Sequence, residues 1–193
     1  MLKTNTKKNL RGFTLAEMLV TVGVFAITMT VSSSIFINVN NLQQQTANMA
    51  KLQNEGRYIL EKISKEIRGR ELDYAQINLD SVTGLTDTLV FKPDEFGETY
   101  TVYYNTNNKS INVQTYTEVA GIKTAILSSE EITVDKMQFR ISPTTDPYDI
   151  SVSSSPLEQS RVTIMMEIKN ANTMERYQKK LLLQTTISSK NYR

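Results

Sequence analysis

One carboxylate stands where a carboxylate is costly. Glu17 lies four residues past Phe13, inside the otherwise apolar run Phe13-Thr14-Leu15-Ala16-Glu17-Met18-Leu19-Val20. Burying an unpaired charge in such a run costs roughly 2.5–3.5 kcal/mol on membrane-insertion scales. Other reactive side chains are scarce. The 193-residue chain has no histidine and no cysteine. That removes the commonest general base, the commonest metal ligand, any disulfide and any thiolate site. Asp73, Asp80, Asp87, Asp94 and Glu95 fall in loop-like sequence, where solvated charge is the ordinary state. No nucleophile motif, glycine-rich phosphate loop or metal-ligand spacing accompanies them. Asp146, Asp149 and Glu158 could mark a loop calcium site, but they lack a recognisable ligand pattern. No catalytic residue, cofactor or metal is expected, and the chain is not read as an enzyme.

The elements around Glu17 follow from charge and hydropathy. Residues 1–12 carry Lys3, Lys7, Lys8 and Arg11 and no acid. Setting these four aside leaves 18 of the 22 basic residues against 20 acidic ones, so the net charge of +2 becomes −2. The basicity is therefore a property of a short leader. A nucleic-acid interface would need a basic face on the folded domain, so nucleic acid is not an expected partner. Residues 13–37 are mostly apolar and as a helix would span about 37 Å, enough to cross a hydrocarbon core of about 30 Å. The leader lysines and Arg11 keep that end cytoplasmic, so the remainder is exported.

Residues 38–74 continue the helix in amphipathic form. Leu42, Met49, Leu52, Ile59, Leu60, Ile63 and Ile67 recur at spacings of three, four and seven. Glu61 with Lys65, and Glu66 with Arg70, are favourable i,i+4 pairs. No proline precedes Pro93, so one helix is predicted from about 13 to about 70, with Gly23 and Gly56 as its weak points. Residues 75–193 read as strands. Thr88 to Phe91 is a short apolar run. Residues 98–115 form a hairpin about the turn Asn105 to Lys109. Residues 131–141 alternate with a slip in parity near Asp135, the mark of a bulge. Residues 142–160 form a loop, 161–169 a strand, and 177–187 a last strand. The fold class is α+β, a long N-terminal helix whose stripe packs on an antiparallel sheet.

The stretch from Arg11 to Val20 resembles the cleavage and methylation signal of type IV prepilins and type II secretion pseudopilins. That signal is a basic leader ending in glycine, then Phe-Thr-Leu-x-Glu, then an apolar helix. Gly12, Phe13, Thr14, Leu15 and Glu17 match it, and Ala16 replaces a bulkier aliphatic residue. The resemblance implies that a prepilin peptidase cuts between Gly12 and Phe13 and methylates the new amine of Phe13. Cleavage on the cytoplasmic side keeps the apolar run as an assembly stem, whereas an ordinary secretory signal loses it. Val31-Ser32-Ser33-Ser34 would be a poor secretory cleavage site. The resemblance also gives Glu17 a partner. In staggered filament stems it can pair with the Phe13 amine of a neighbouring subunit, and a subunit out of register leaves both charges buried alone. A head-to-tail interface of this kind generates an open filament.

Leu52 to Arg70 is similar to the end of the helix in J-type pseudopilins and W-type minor pilins, through Arg57, Leu60, Ile63, Glu66, Ile67 and Arg68. The later strands and the tail Asn191-Tyr192-Arg193 resemble them in order and spacing. Ser32, Ser33 and Ser34 stand where major pilins often carry a proline, and the disulfide loop of major pilins is impossible here. Both departures favour a minor subunit, in filament initiation or at a tip. The implied partners are prepilin peptidase, other pilin or pseudopilin subunits, the inner-membrane assembly platform and membrane lipid. The implied location is the cytoplasmic membrane, single-pass, then a periplasmic or surface filament. A signal-anchored surface domain that binds a ligand without polymerising is the alternative; it needs neither Gly12 nor Glu17.

Overall fold

The computed structural model describes residues 12–147, 149, 159–171 and 178–189. They form one helix, α1 (Leu15–Gly69), and the strands β1 (Leu85–Thr86), β2 (Thr88–Phe91), β3 (Thr99–Asn105), β4 (Ser110–Thr117), β5 (Gly121–Ile126), β6 (Ile132–Ser142), β7 (Arg161–Asn170) and β8 (Lys180–Ser188). The chain divides between Gln44 and Gln45 into two units. The helix is continuous through both expected weak points, Gly23 and Gly56. It is free of proline, and its hydroxyl side chains bond back to it: Thr21 to the Met18 carbonyl and Thr28 to the Phe25 carbonyl, each at 2.9 Å. Thr30 and Ser33 bond in the same way, at 2.9 Å, to the carbonyls of Ala26 and Met29.

From Gln45 onward the helix buries a stripe of Leu52, Gly56, Ile59, Ile63 and Ile67. The stripe begins later than its sequence period suggests, since Leu42 is 63% exposed. Leu60 is only partly buried, at the edge of the core. Gly56 marks a close approach. A Cβ added there would lie 2.2 Å from Leu183 Cδ1 and 3.1 Å from Ile168 Cδ1, so the missing side chain is what lets the helix sit down on β7 and β8. Nearer the start of the stripe, Asn170 Nδ2 donates to the Asn48 carbonyl at 3.3 Å, and Lys51 pairs with Glu131 at 2.6 Å.

The architecture is α+β, with two four-stranded antiparallel sheets, β1-β6-β7-β8 and β2-β3-β4-β5, where the sequence suggested one. In the first sheet Val162, Ile164, Met166 and Ile168 of β7 alternate inward beside Met137, Phe139 and Ile141 of β6. The second sheet contributes Leu89, Phe91, Val102 and Ile111 to the same core. The expected hairpin is β3 and β4, paired from Thr99↔Tyr116 to Asn105↔Ser110. The expected bulge is present, since the β6–β7 register shifts between Val134 and Lys136. The bulge is pinned by the second sheet: Tyr104 Oη lies 2.9 Å from the Val134 carbonyl and 3.1 Å from that of Asp135. Val134 N donates to the Lys109 carbonyl at 3.0 Å. Strands β1 and β5 were not read from the sequence. Most of the predicted loop 142–160, Glu158 and the tail Asn191 to Arg193 lie outside the described residues.

Candidate functional site

Helix α1 begins just past Thr14, and the way it begins is specific. Thr14 Oγ1 accepts a hydrogen bond from the Glu17 amide at 3.2 Å. Glu17 Oε2 in turn accepts from the Thr14 amide and from the Thr14 hydroxyl, each at 3.0 Å. This reciprocal pair, a Thr and a Glu three residues apart, is a capping box. The first helical backbone bond runs from Met18 N to the Thr14 carbonyl at 3.2 Å, as it must when Thr14 is the N-cap. Gly12 and Phe13 therefore lie outside the helix. Both are exposed, and nothing lies within 4 Å of a Cβ built on Gly12.

The box revises the reading of Glu17. Its carboxylate is not unpaired within the chain; Thr14 satisfies part of it, and the acid sits in the first helical turn, where negative charge is favoured. The spacing Thr-x-x-Glu is the sequence signal for this box, whereas the cost of burying an acid points to a partner outside the chain. Both Thr14 donors share Oε2. A carboxylate has about four lone-pair sites over two oxygens, so capping leaves Oε1 with acceptor capacity for a further donor.

Downstream, every residue from Gly12 to Asn40 is exposed. Glu17 is the sole charged residue between Arg11 and Lys51. By length and composition α1 is apolar enough near its N-terminus to cross a membrane. The hydroxyls of Thr21, Thr28, Thr30 and Ser33 already spend their donors on helix carbonyls, which lowers the cost of carrying them in hydrocarbon. A continuous exposed apolar surface of this kind marks a membrane or protein contact.

Several acids of the folded domain form ion pairs, and others are held by neutral donors. Arg70 bonds Glu66 at 3.0 Å, lies 3.8 Å from Asp94 and stacks at 5.0 Å over the Tyr100 ring. Burial, with Glu66 adding to it, pushes Tyr100 up to about 12. Lys92 is held above the usual lysine range by its hydrogen bond to Glu71, with Asp146 at 3.9 Å. Asp80 is held below the ordinary carboxylate range first by the Thr83 hydroxyl and then by the amides of Val82 and Thr83. Among the described residues no group of three His, Cys, Asp or Glu side chains could hold a metal ion. Of the suggested calcium trio, Asp146 and Asp149 are described and Glu158 is not.

Residues 7–33 match the family model described as the prokaryotic N-terminal methylation motif. The match takes in Gly12 and Phe13, the capping box and the first part of the apolar helix, and it supports a type IV pilin-like signal there. No curated protein and no solved structure matches the chain.

Proposed function

We propose that this chain is the precursor of a minor pilin or pseudopilin, a structural subunit of a type IV pilus or a type II secretion-like filament. The observation that carries this reading is the coincidence of three features. A methylation motif covers residues 7–33. An exposed apolar helix follows it. Its first turn holds the one charge between Arg11 and Lys51. On this reading the leader 1–12 is removed, 13–37 is the membrane and assembly segment, 38–74 continues the helix into the folded domain, and 75–193 is the exported β domain. Prepilin peptidase adds water across the Gly12–Phe13 amide, leaving a carboxylate on Gly12 and an ammonium on Phe13, which is then methylated. The similarity of Leu52 to Arg70 to J-type and W-type subunits, with no proline at Ser32 to Ser34, supports a place in initiation or at a tip.

Within the filament Glu17 acts as a register key. Its Oε2 stays in the cap, and Oε1 accepts from the Phe13 ammonium of a neighbouring subunit. In low dielectric that pair offsets the burial of both charges, and a subunit displaced along the stack loses it. Glu17→Gln keeps the cap, since Gln serves equally at the third position of a capping box, and removes the charge. The variant is expected to insert, to be cleaved and to fold, and to be missing from sheared surface filaments. Glu17→Asp, with its shorter reach, is expected to be partly defective. Normal incorporation of Glu17→Gln without a wild-type copy would sink the register key and favour the signal-anchored surface domain.

A further inference from the structure

The capping box lies beside the proposed cut, and its geometry decides which backbone groups are drawn into the helix. We infer that Thr14 is a positioning residue for processing: its hydroxyl stops α1 one residue short of Phe13 and holds the Gly12–Phe13 peptide in non-helical, accessible backbone. The inference rests on the reading of Gly12–Phe13 as the bond that prepilin peptidase hydrolyses.

The argument is one of competing hydrogen bonds. In a helix that continued upstream, the Glu17 amide would donate to the Phe13 carbonyl four residues back. Here it donates to Thr14 Oγ1 at 3.2 Å. The Thr14 amide would likewise turn toward the leader, but it donates to Glu17 Oε2 at 3.0 Å. The Glu17 amide, whose bond to the Phe13 carbonyl would have to form first for the helix to grow upstream, is thus occupied by a side chain, as is the Thr14 amide. Without the hydroxyl, the next upstream residue with N-cap preference is Gly12, since glycine is tolerated at that position. An N-cap residue already gives its carbonyl to the first helical bond. With Gly12 as cap, the scissile carbonyl itself becomes a helix acceptor and Phe13 takes helical dihedrals. Water must add to that carbonyl carbon, and a carbonyl tied into a helical turn, with a bulky ring wound beside it, is withheld from a hydrolytic site. Thr14 thus acts through the backbone and need not touch the reacting atoms. Glu17 has two separable tasks: its hydrogen-bonding shape supports the cut, and its charge supports assembly.

The test is pulse–chase conversion of the full chain in cells with active prepilin peptidase, scored as precursor against a mature form beginning at Phe13. The set is the unaltered chain, Thr14→Val, Thr14→Ser and Glu17→Gln. Thr14→Val keeps the shape and loses the hydroxyl; conversion is expected to slow roughly five-fold, the population change that loss of a typical N-cap produces. Thr14→Ser restores the hydroxyl and is expected to convert at the original rate, as is Glu17→Gln. Equal rates for Thr14→Val and the unaltered chain would overturn the inference. So would equal slowing in Thr14→Val and Thr14→Ser, which would mean that the residue is read by its side chain. If the unaltered chain is never converted, the processing reading itself falls, and that result is distinct from both of the others.

Discussion

Helix α1 is one element in two solvents. Up to Gln44 its side chains are exposed apart from a half-buried Asn41, and its residues to Ile37 are mostly apolar around the whole circumference. From Gln45 the apolar residues narrow to one stripe, and Leu52, Ile59, Ile63 and Ile67 are all essentially inaccessible. A helix that is apolar all round belongs in a core or a membrane, and one with a stripe belongs on a surface of protein. Identical residue types therefore carry different energies in the two regions. In the second they hold the β domain together; in the first they are held by whatever surrounds them.

The largest expected effect breaks or supports this division directly. Ile63→Ala removes a fully buried side chain, and large-to-small core changes of this kind cost about 2–5 kcal/mol. Ile27, at 67% exposed, makes no such contribution, so Ile27→Ala is expected to stay within about 0.5 kcal/mol. Denaturant unfolding of the full chain in detergent, followed by the near-ultraviolet signal of the β-domain tyrosines, measures both. Equal losses would show that the two halves of the helix are not independent in this way.

The two glycines sharpen the same contrast because they should differ in sign. At Gly23 nothing lies within 4 Å of an added Cβ, and replacing a mid-helix glycine by alanine gains roughly 0.5–1 kcal/mol of helix propensity. At Gly56 the added Cβ meets Leu183 Cδ1 at 2.2 Å. Leu183 is only partly buried and can rotate, so the cost of Gly56→Ala is expected at about 1–3 kcal/mol, in the range of overpacked cores. Helicity in detergent micelles reads the first change, and the midpoint of β-domain unfolding reads the second. A stabilising Gly56→Ala would mean that the close approach is not limiting.

Those glycines also show where sequence reasoning stops. The extent of the helix was legible because no proline interrupts it and the stripe keeps its period from Leu52 to Ile67. The bulge was legible because alternation slips by one residue at Asp135. Gly56 looked like a weakness because propensity is local, and the neighbour that demands a glycine, Leu183, lies far along the chain. The division into two sheets was illegible for a similar reason: alternation says which face a residue takes, not which strands pair. β5 has no alternation to read, since Ile122, Lys123, Thr124, Ala125 and Ile126 are all exposed. At the candidate site the spacing Thr14-x-x-Glu17 carries the signal of a helix cap, but the same two residues also fall in the Phe-Thr-Leu-x-Glu pattern, which accounts for them without one.

The smallest effect compares the acids of the two regions. Glu17 is supported by neutral donors from Thr14, whereas Asp135 at the bulge is supported by cations: Lys169 at 2.9 Å, Lys180 at 3.4 Å and Lys109 at 3.9 Å. Burial alone would push the Asp135 carboxyl up, but Lys169 and Lys180 outweigh it and hold it below the ordinary aspartate range. A carboxylate whose folded pKa lies below its unfolded value stabilises the fold above the unfolded value, near 3.9, and the contribution disappears as pH falls through the folded value. Lys180 and Lys109 are more than half exposed, so solvent screens much of their share. Asp135→Asn should therefore cost about 1 kcal/mol at pH 7. That difference from the unaltered chain should shrink toward zero as pH is lowered below the aspartate range, because the aspartate is then protonated as well. Unfolding free energies of both chains at pH 7 and at low pH decide this. A cost that is the same at both pH values would mean that Asp135 holds the bulge through hydrogen-bonding shape, as Glu17 holds the start of the helix, and the electrostatic contrast between the two regions would fail.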